Sequence, residues 1–218
     1  MKGLTKLLAT LCFASICNSA LGVDAGSYEF SGYIPFTLQK EFNFEGGASA
    51  KVESAPGFGF SFGFNQTDKF TTRVDVAWNS YPYSAERVID DGAGTIKGIS
   101  GRMDSLTIGL GGDFYLTNGT VAPYIAGNFG WSYLDTNIPT GDYGSSCWWD
   151  PWWGYICSST RYTYSVNSWY YGVGAGLRIS LNPKNFVRVG YYETFLNYSN
   201  AKGNPHMGSV RLEFGISY

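Results

Sequence analysis

The chain has 218 residues, of which 29 are Gly and 39 are aromatic (15 Phe, 17 Tyr and 7 Trp), while only 15% are charged. Such a length suits one domain, and a composition so rich in Gly and aromatics argues against a helical protein. With 15 basic against 17 acidic side chains and no basic stripe, nothing points to nucleic acid.

The N-terminus reads Lys2 and Lys6, then the apolar run LLATLCFASIC, then the small residues of NSALGVDA, which is the order of a secretory signal peptide. Cleavage is expected after Gly22, with Ala25 as a second site, giving a leader of residues 1–22 and one domain of residues 23–218. The run is too short to span a bilayer as a helix, and no later segment supplies the roughly 18 apolar residues needed. Neither Cys12 nor Cys17 follows a small residue, so a lipid anchor is not expected. Loss of Lys2 and Lys6 leaves 13 basic against 17 acidic side chains, a net charge of about −4.

From Tyr28 the chain alternates with period two. Tyr28, Phe30, Ile34, Phe36 and Leu38 oppose Glu29, Ser31, Thr37 and Gln39, the signature of a strand with one apolar face. The pattern returns in GFGFSFGF (57–64), FTTRVDVAW (70–78), SLTIGLGGDFYL (105–116), VAPYIAGNFGWSY (121–133), WYYGVGAGLRISL (169–181), FVRVGYYETF (186–195) and SVRLEFGISY (209–218). Only Glu193 breaks phase, falling on the face of Val187, Val189 and Tyr191; a bulge or a position above the membrane accounts for it. The connections NQTDK (65–69), TNGT (117–120) and NPKN (182–185) are short turns. Longer segments at 45–55, 79–103, 134–168 and 199–207 alternate with them. Eight strands, short turns on one side and four longer loops on the other describe an all-β, antiparallel up-and-down barrel with both termini on the short-turn side.

The polar face is mostly Gly, Ser, Ala and Thr, and every lysine past the leader lies at a strand end, turn or loop. A solvated face would carry many Lys and Glu. Small residues with scattered charges suit a narrow interior, and Phe, Leu, Ile and Val suit lipid, so the barrel is read apolar side out. In hydrocarbon a sheet survives only when closed. Rings at strand ends (Tyr28, Phe70, Trp78, Trp131, Trp169, Tyr198, Tyr218) fit interfacial girdles. The inward set includes Glu29, Asp75, Asp113 and Glu213 against Arg73, Arg178, Arg188 and Arg211. Four charges of each sign are expected to pair, and a lumen this narrow fills with side chains. No open diffusion pore is expected; a gated or proton-conducting path is the alternative.

The leader, the eight alternating strands and the aromatic C-terminus resemble the OmpA/OmpX and opacity-protein type of Gram-negative outer-membrane barrel. The last segment, VRLEFGISY, resembles the signal by which such chains are recognised for insertion, with Leu212, Phe214, Ile216 and Tyr218 in the signal row, although Phe is the commoner last residue. The resemblance implies an integral outer-membrane protein, monomeric, whose partners are outer-membrane lipid, lipopolysaccharide and the outer-membrane assembly machinery.

The segment CWWDPWWGYIC, residues 147–157, holds four of the seven Trp between two Cys inside the longest outer loop. In an oxidising compartment Cys147 and Cys157 are expected to form a disulfide, worth on the order of 2 to 3 kcal/mol by restricting the unfolded loop. Asp150-Pro151 suggests a turn that brings Trp148 and Trp149 near Trp152 and Trp153. Exposed Trp clusters mark interaction sites, so Trp148, Trp149, Trp152, Trp153 and Tyr155 are the candidate binding residues for a glycan or protein. The alternative is that the rings fold over the barrel mouth. With His206 the only histidine, no metal site is expected, and no cofactor.

A lipid A-modifying hydrolase is the alternative from another class. NYSNAKGNPHMG (197–208) loosely resembles the segment of outer-membrane deacylases, and Ser199 and Asn200 match, but Asn197 stands where the base belongs and His206 comes seven residues after the serine. No catalytic residue is assigned. A soluble lipocalin-like carrier is a further alternative. Asp90-Asp91-Gly92 lacks calcium-loop spacing and reads as a turn. The Asn-x-Ser/Thr sequences at Asn65, Asn118 and Asn197 would matter only in a eukaryotic secretory pathway.

Overall fold

The structure is a computed structural model that describes residues 22–43, 49–89, 95–150, 154–197 and 206–218. Ten strands follow in chain order: β1 (Tyr28–Thr37), β2 (Lys40–Asn43), β3 (Ser49–Val52), β4 (Ala55–Thr67), β5 (Phe70–Ile89), β6 (Thr95–Tyr115), β7 (Val121–Asp150), β8 (Gly154–Ser180), β9 (Asn185–Leu196) and β10 (His206–Ser217). Each of β1 and β4 to β10 pairs antiparallel with its neighbours, and β10 returns to β1 from Glu29↔Ser217 to Thr37↔Ser209. The result is a closed eight-stranded barrel. The small hairpin of β2 and β3 lies outside the ring, with Val52 opposite Tyr83 on the upper part of β5.

The alternation in the sequence becomes two faces. Phe58, Phe60, Phe62 and Phe64 project outward, as do Ile108, Leu110, Val173, Leu177, Leu212 and Phe214, while Ser31, Ser61, Thr71 and Ala126 are buried inside. The Gly-rich inner face follows from barrel width: a large ring on one strand needs an empty position opposite. Tyr124 directs its hydroxyl over Gly176 and Gly190, where an added Cβ would collide with it, and Phe186 occupies the space a side chain at Gly215 would need. Outward rings gather at the two ends of the strands. Tyr28 packs near Phe64 (5.1 Å between centroids) and Tyr218 (6.2 Å) at the short-turn end. At the other end Trp131 stacks on Tyr133 (6.2 Å) and Phe58 on Trp78 (5.2 Å). Tyr198 lies outside the described residues.

Two of the four expected outer loops are largely strand. Residues 79–89 and 95–103 continue β5 and β6 as a paired ribbon from Asn79↔Ser105 to Ile89↔Thr95. Residues 134–150 and 154–168 continue β7 and β8, which are 30 and 27 residues long against 12 for β9 and for β10. A search for one apolar face misses such ribbons because strands above the bilayer contact water on both sides and need no alternation. The first outer loop also contains the β2–β3 hairpin. The Asp90-Asp91-Gly92 turn lies outside the described residues.

The segment before β1 crosses the short-turn mouth. Val23, 2% exposed, packs with Tyr115, Ala122 and Tyr124. Its N–H donates to Asn118 Oδ1 at 2.9 Å. Asn118 belongs to the β6–β7 turn on the far side of the ring, since β7 is four strands from β1 in either direction. Gly26 takes φ +82°, which turns the chain into β1, and its N–H donates to the Asn65 carbonyl at 2.7 Å.

A charge on the outer face should be costly. Phe60→Arg in mid-strand is expected to destabilise the barrel by about 2 to 4 kcal/mol, read from urea-dependent unfolding in lipid vesicles. A loss below about 0.5 kcal/mol, the usual size of a neutral surface change, would contradict the apolar-out assignment.

Candidate functional site

All eight charged residues singled out in the sequence lie inside the barrel. They come from β1 (Glu29), β5 (Arg73, Asp75), β6 (Asp113), β8 (Arg178), β9 (Arg188) and β10 (Arg211, Glu213), and each is nearly inaccessible. Successive inward positions on neighbouring strands stack them into one continuous network. At its lower end Glu29 pairs with both Arg178 and Arg188 and accepts a hydrogen bond from Asn65 Nδ2 at 3.0 Å. Arg188 links this level to the next, donating to Glu213 Oε1 at 2.7 Å. Arg73 lies between Asp75 (3.2 Å) and Asp113 (3.3 Å), and Arg211 between Asp75 (3.1 Å) and Glu213 (2.7 Å).

Neutral groups complete the packing. Arg188 donates to the Tyr115 hydroxyl at 2.7 Å, Arg73 to that of Tyr192 at 3.3 Å, and Ser31 to Glu213 at 2.6 Å. Guanidinium groups stack on rings: Arg211 over Tyr33 at 3.4 Å, Arg178 and Arg188 over Phe186 at 4.1 and 4.5 Å. The ring partners were legible in principle, since Tyr33, Tyr115 and Tyr192 fall in the inward phase of their strands. Phe186 shares that inward phase with Arg188 and is buried. An isolated charge would be very costly here, whereas four of each sign with aromatic and hydroxyl partners compensate one another. At the level of the network the interior is occupied by these buried, paired side chains.

The tryptophan segment sits at the far tip of the β7–β8 ribbon. Pairing of β6 with β7 ends at Asp104↔Asp135 and that of β8 with β9 at Tyr170↔Leu196, yet β7 and β8 go on pairing as far as Asp150↔Gly154. From Pro139 to Asp150 an extended strand covers at most about 36 Å. Register breaks between Asp135 and Pro139 and between Pro139 and Tyr143 put extra residues on β7, and such bulges bend a ribbon. Cys147 lies directly opposite Cys157, Trp148 opposite Ile156 and Trp149 opposite Tyr155. Pro151, Trp152 and Trp153 lie outside the described residues.

Near the outer rim, Glu193 pairs without a register break with Val173 on one side and Gly208 on the other, so no bulge places it outward. It accepts from the Tyr191 hydroxyl at 2.5 Å and lies 3.6 Å from His206 Nε2. The same His206 nitrogen is 2.9 Å from Lys40 Nζ. Ser199 and Asn200 lie outside the described residues. Among the described residues no group of three or more His, Cys, Asp and Glu is placed to hold a metal.

Arg188 is the member whose loss disturbs the most partners. Arg188→Ala is expected to cost about 3 to 5 kcal/mol by leaving Glu29 and Glu213 undercompensated in the lumen. Urea unfolding in vesicles measures it, and a cost below about 1 kcal/mol, the range of exposed pairs, would remove the network from the account of stability.

The profile of the outer membrane protein β-barrel domain matches residues 10–216. No curated protein matches the sequence. Among solved structures, the outer membrane protein OprG of Pseudomonas aeruginosa is similar at TM-score 0.54 and 14% identity, over 92% of this chain and 99% of that one. Ail, the attachment invasion locus protein of Yersinia pestis, is similar at TM-score 0.52 and 14% identity, over 89% and 99%. Neisserial surface protein A gives 0.50 and 14%, over 88% and 97%. At these identities the likeness is one of fold. With the profile spanning nearly the whole chain, the protein belongs to the outer membrane protein β-barrel domain family and is an integral protein of the outer membrane.

Proposed function

We propose that the protein is a small outer-membrane barrel without an open pore, and that it acts at the cell surface through the β7–β8 ribbon, in recognition, adhesion or envelope integrity. The observation that carries this reading is a contrast: the lumen is filled by paired charges, while β7 and β8 run far past their neighbours to a tip rich in tryptophan. Material crossing the barrel would have to break the network; a partner at the tip would not.

The tip suits contact with sugar rings or an apolar patch, with Trp148, Trp149, Trp152, Trp153 and Tyr155 as the contacting groups. Directly opposed residues of an antiparallel pair have Cα atoms about 4.5 to 5.5 Å apart, inside the range a disulfide needs. The Cys147↔Cys157 register therefore supports a disulfide that staples the tip. Ail was solved in complex with the heparin analogue sucrose octasulfate. A sugar ligand is accordingly a reasonable first class here, although the net charge of this chain favours stacking over charge pairing with a polyanion. Export by a cleaved leader, a monomeric state, lipopolysaccharide as a lipid partner, and reading of Leu212, Phe214, Ile216 and Tyr218 by the assembly machinery belong to the same proposal. The outward exposure of those four side chains supports the last of these. The role is non-catalytic and uses no cofactor; unaltered acyl chains in lipid A from overproducing cells are expected.

The test is binding of the folded, detergent-solubilised protein to glycan and protein arrays, oxidised and reduced, beside a variant with Trp148, Trp149, Trp152 and Trp153 changed to Ala. Loss of roughly tenfold or more in affinity, about 1.4 kcal/mol, is expected with folding intact. Unchanged binding would sink the recognition role. In planar bilayers no large, steady conductance is expected, and its appearance would refute the closed lumen.

A further inference from the structure

Given export by a cleaved leader, on which this rests, we propose that the chain is cut between Gly22 and Val23 and that the new N-terminus docks as a stopper in the short-turn mouth, held by Asn118. The cut adds water across the Gly22–Val23 amide. It leaves a carboxylate on Gly22, which departs with the leader, and an amine on Val23 that is protonated at neutral pH. Ala20-Leu21-Gly22 supplies the small-x-small pattern ahead of such a cut, whereas Val23-Asp24-Ala25, ahead of the other bond the sequence allows, begins with a branched residue. The fold separates the two bonds further. Val23 is 2% exposed and clusters with Tyr115, Ala122, Tyr124, Ala126 and Tyr192. It is the one buried residue between Gly22 and Tyr28, and a cut after Ala25 would discard it.

Asn118 grips Val23 at two points. Its Oδ1 accepts from the Val23 N–H at 2.9 Å, and its Nδ2 donates to the Val23 carbonyl at 3.4 Å. The position ahead of Val23 has no room for a side chain, because a Cβ on Gly22 would overlap Asn118 Oδ1 and Cγ. The seat therefore accepts glycine there, or nothing. With nothing there, the α-ammonium makes a charge-assisted hydrogen bond to Asn118 where an amide makes a neutral one. The other end of the segment is tied beside β1. Gly26 N–H donates to the Asn65 carbonyl at 2.7 Å, Asn65 N–H to the Ser27 carbonyl at 2.9 Å, and Asn65 Nδ2 to Ser27 Oγ at 2.8 Å. Ser27 Oγ in turn donates to the Asp24 carbonyl at 2.6 Å. Fixed at Asn65 and at Asn118, the segment crosses the mouth with Val23 turned into it.

The first test is intact mass and N-terminal sequencing of the protein extracted from outer membranes. A chain that begins at Val23 is expected. One that begins at Gly26 or elsewhere would overturn the proposal and leave the cleaved leader standing; an uncut chain would overturn both. Gly22→Ala is expected to yield the same mature protein, since the altered residue leaves with the leader. The seat is tested by Ala122→Cys, at a position 1% exposed in the Val23 cluster, in the full mature chain with Cys147→Ser and Cys157→Ser. The introduced thiol is labelled with a water-soluble maleimide, and heat-modifiable gel migration shows that each variant folds. Asn118→Ala, and separately a refolded chain that begins at residue 22 and carries Gly22→Ala, are each expected to raise the labelling rate roughly tenfold, the share that one hydrogen bond to a charged group contributes to the docked state. An unchanged rate in either would overturn the docking of Val23.

Discussion

Every backbone amide and carbonyl within the hydrocarbon of a bilayer must find a partner inside the protein, because no water is there to substitute. The rest of this structure depends on that constraint. Strands can meet it only by closing the sheet, and here, where no described helix is long and apolar enough to cross, β10 closes on β1 over nine paired residues. Closure into eight strands fixes a narrow lumen. The narrow lumen then decides which side chains the inner face accepts: large rings and guanidinium groups on some strands, glycine opposite them on others.

A small lumen lined by strands still has to be filled. Hydrocarbon side chains are used outside, where lipid favours them, and the inside is filled by charges that neutralise one another. Arg188 shows the logic, since it joins Glu29 at one level to Glu213 at the next while stacking on Phe186. Val23 seals the mouth below. The long β7–β8 ribbon grows directly out of the barrel wall, with two register breaks on β7 between Asp135 and Tyr143 where it leaves its other neighbours.

The outer border is marked by chemistry and not by a change of secondary structure. Strands β5 to β8 continue past it, but the outward side chains change from Val and Leu to Trp and Tyr, and on β9 to Glu193. Backbone pairing is indifferent to the surrounding solvent, whereas side chains are selected by it.

Period-two alternation is a local property, so the chain itself determined the eight membrane strands, their outward face and the identity of the eight buried charges. Phe58, Phe60, Phe62 and Phe64 against Gly and Ser carry the outward face without any tertiary information. Where that pressure ends, the signal ends too: the upper parts of β5 to β8 are strands because they pair, and no alternation announces them. Which charge meets which is a second matter. Arg73 reaching Asp113, Arg178 reaching Glu29 and Val23 reaching Asn118 follow from strand order, register and the curvature of the closed wall. Those contacts join residues far apart in the chain, so only the tertiary structure decided them: sequence specifies the face on which a side chain stands, and closure specifies what it finds across the lumen.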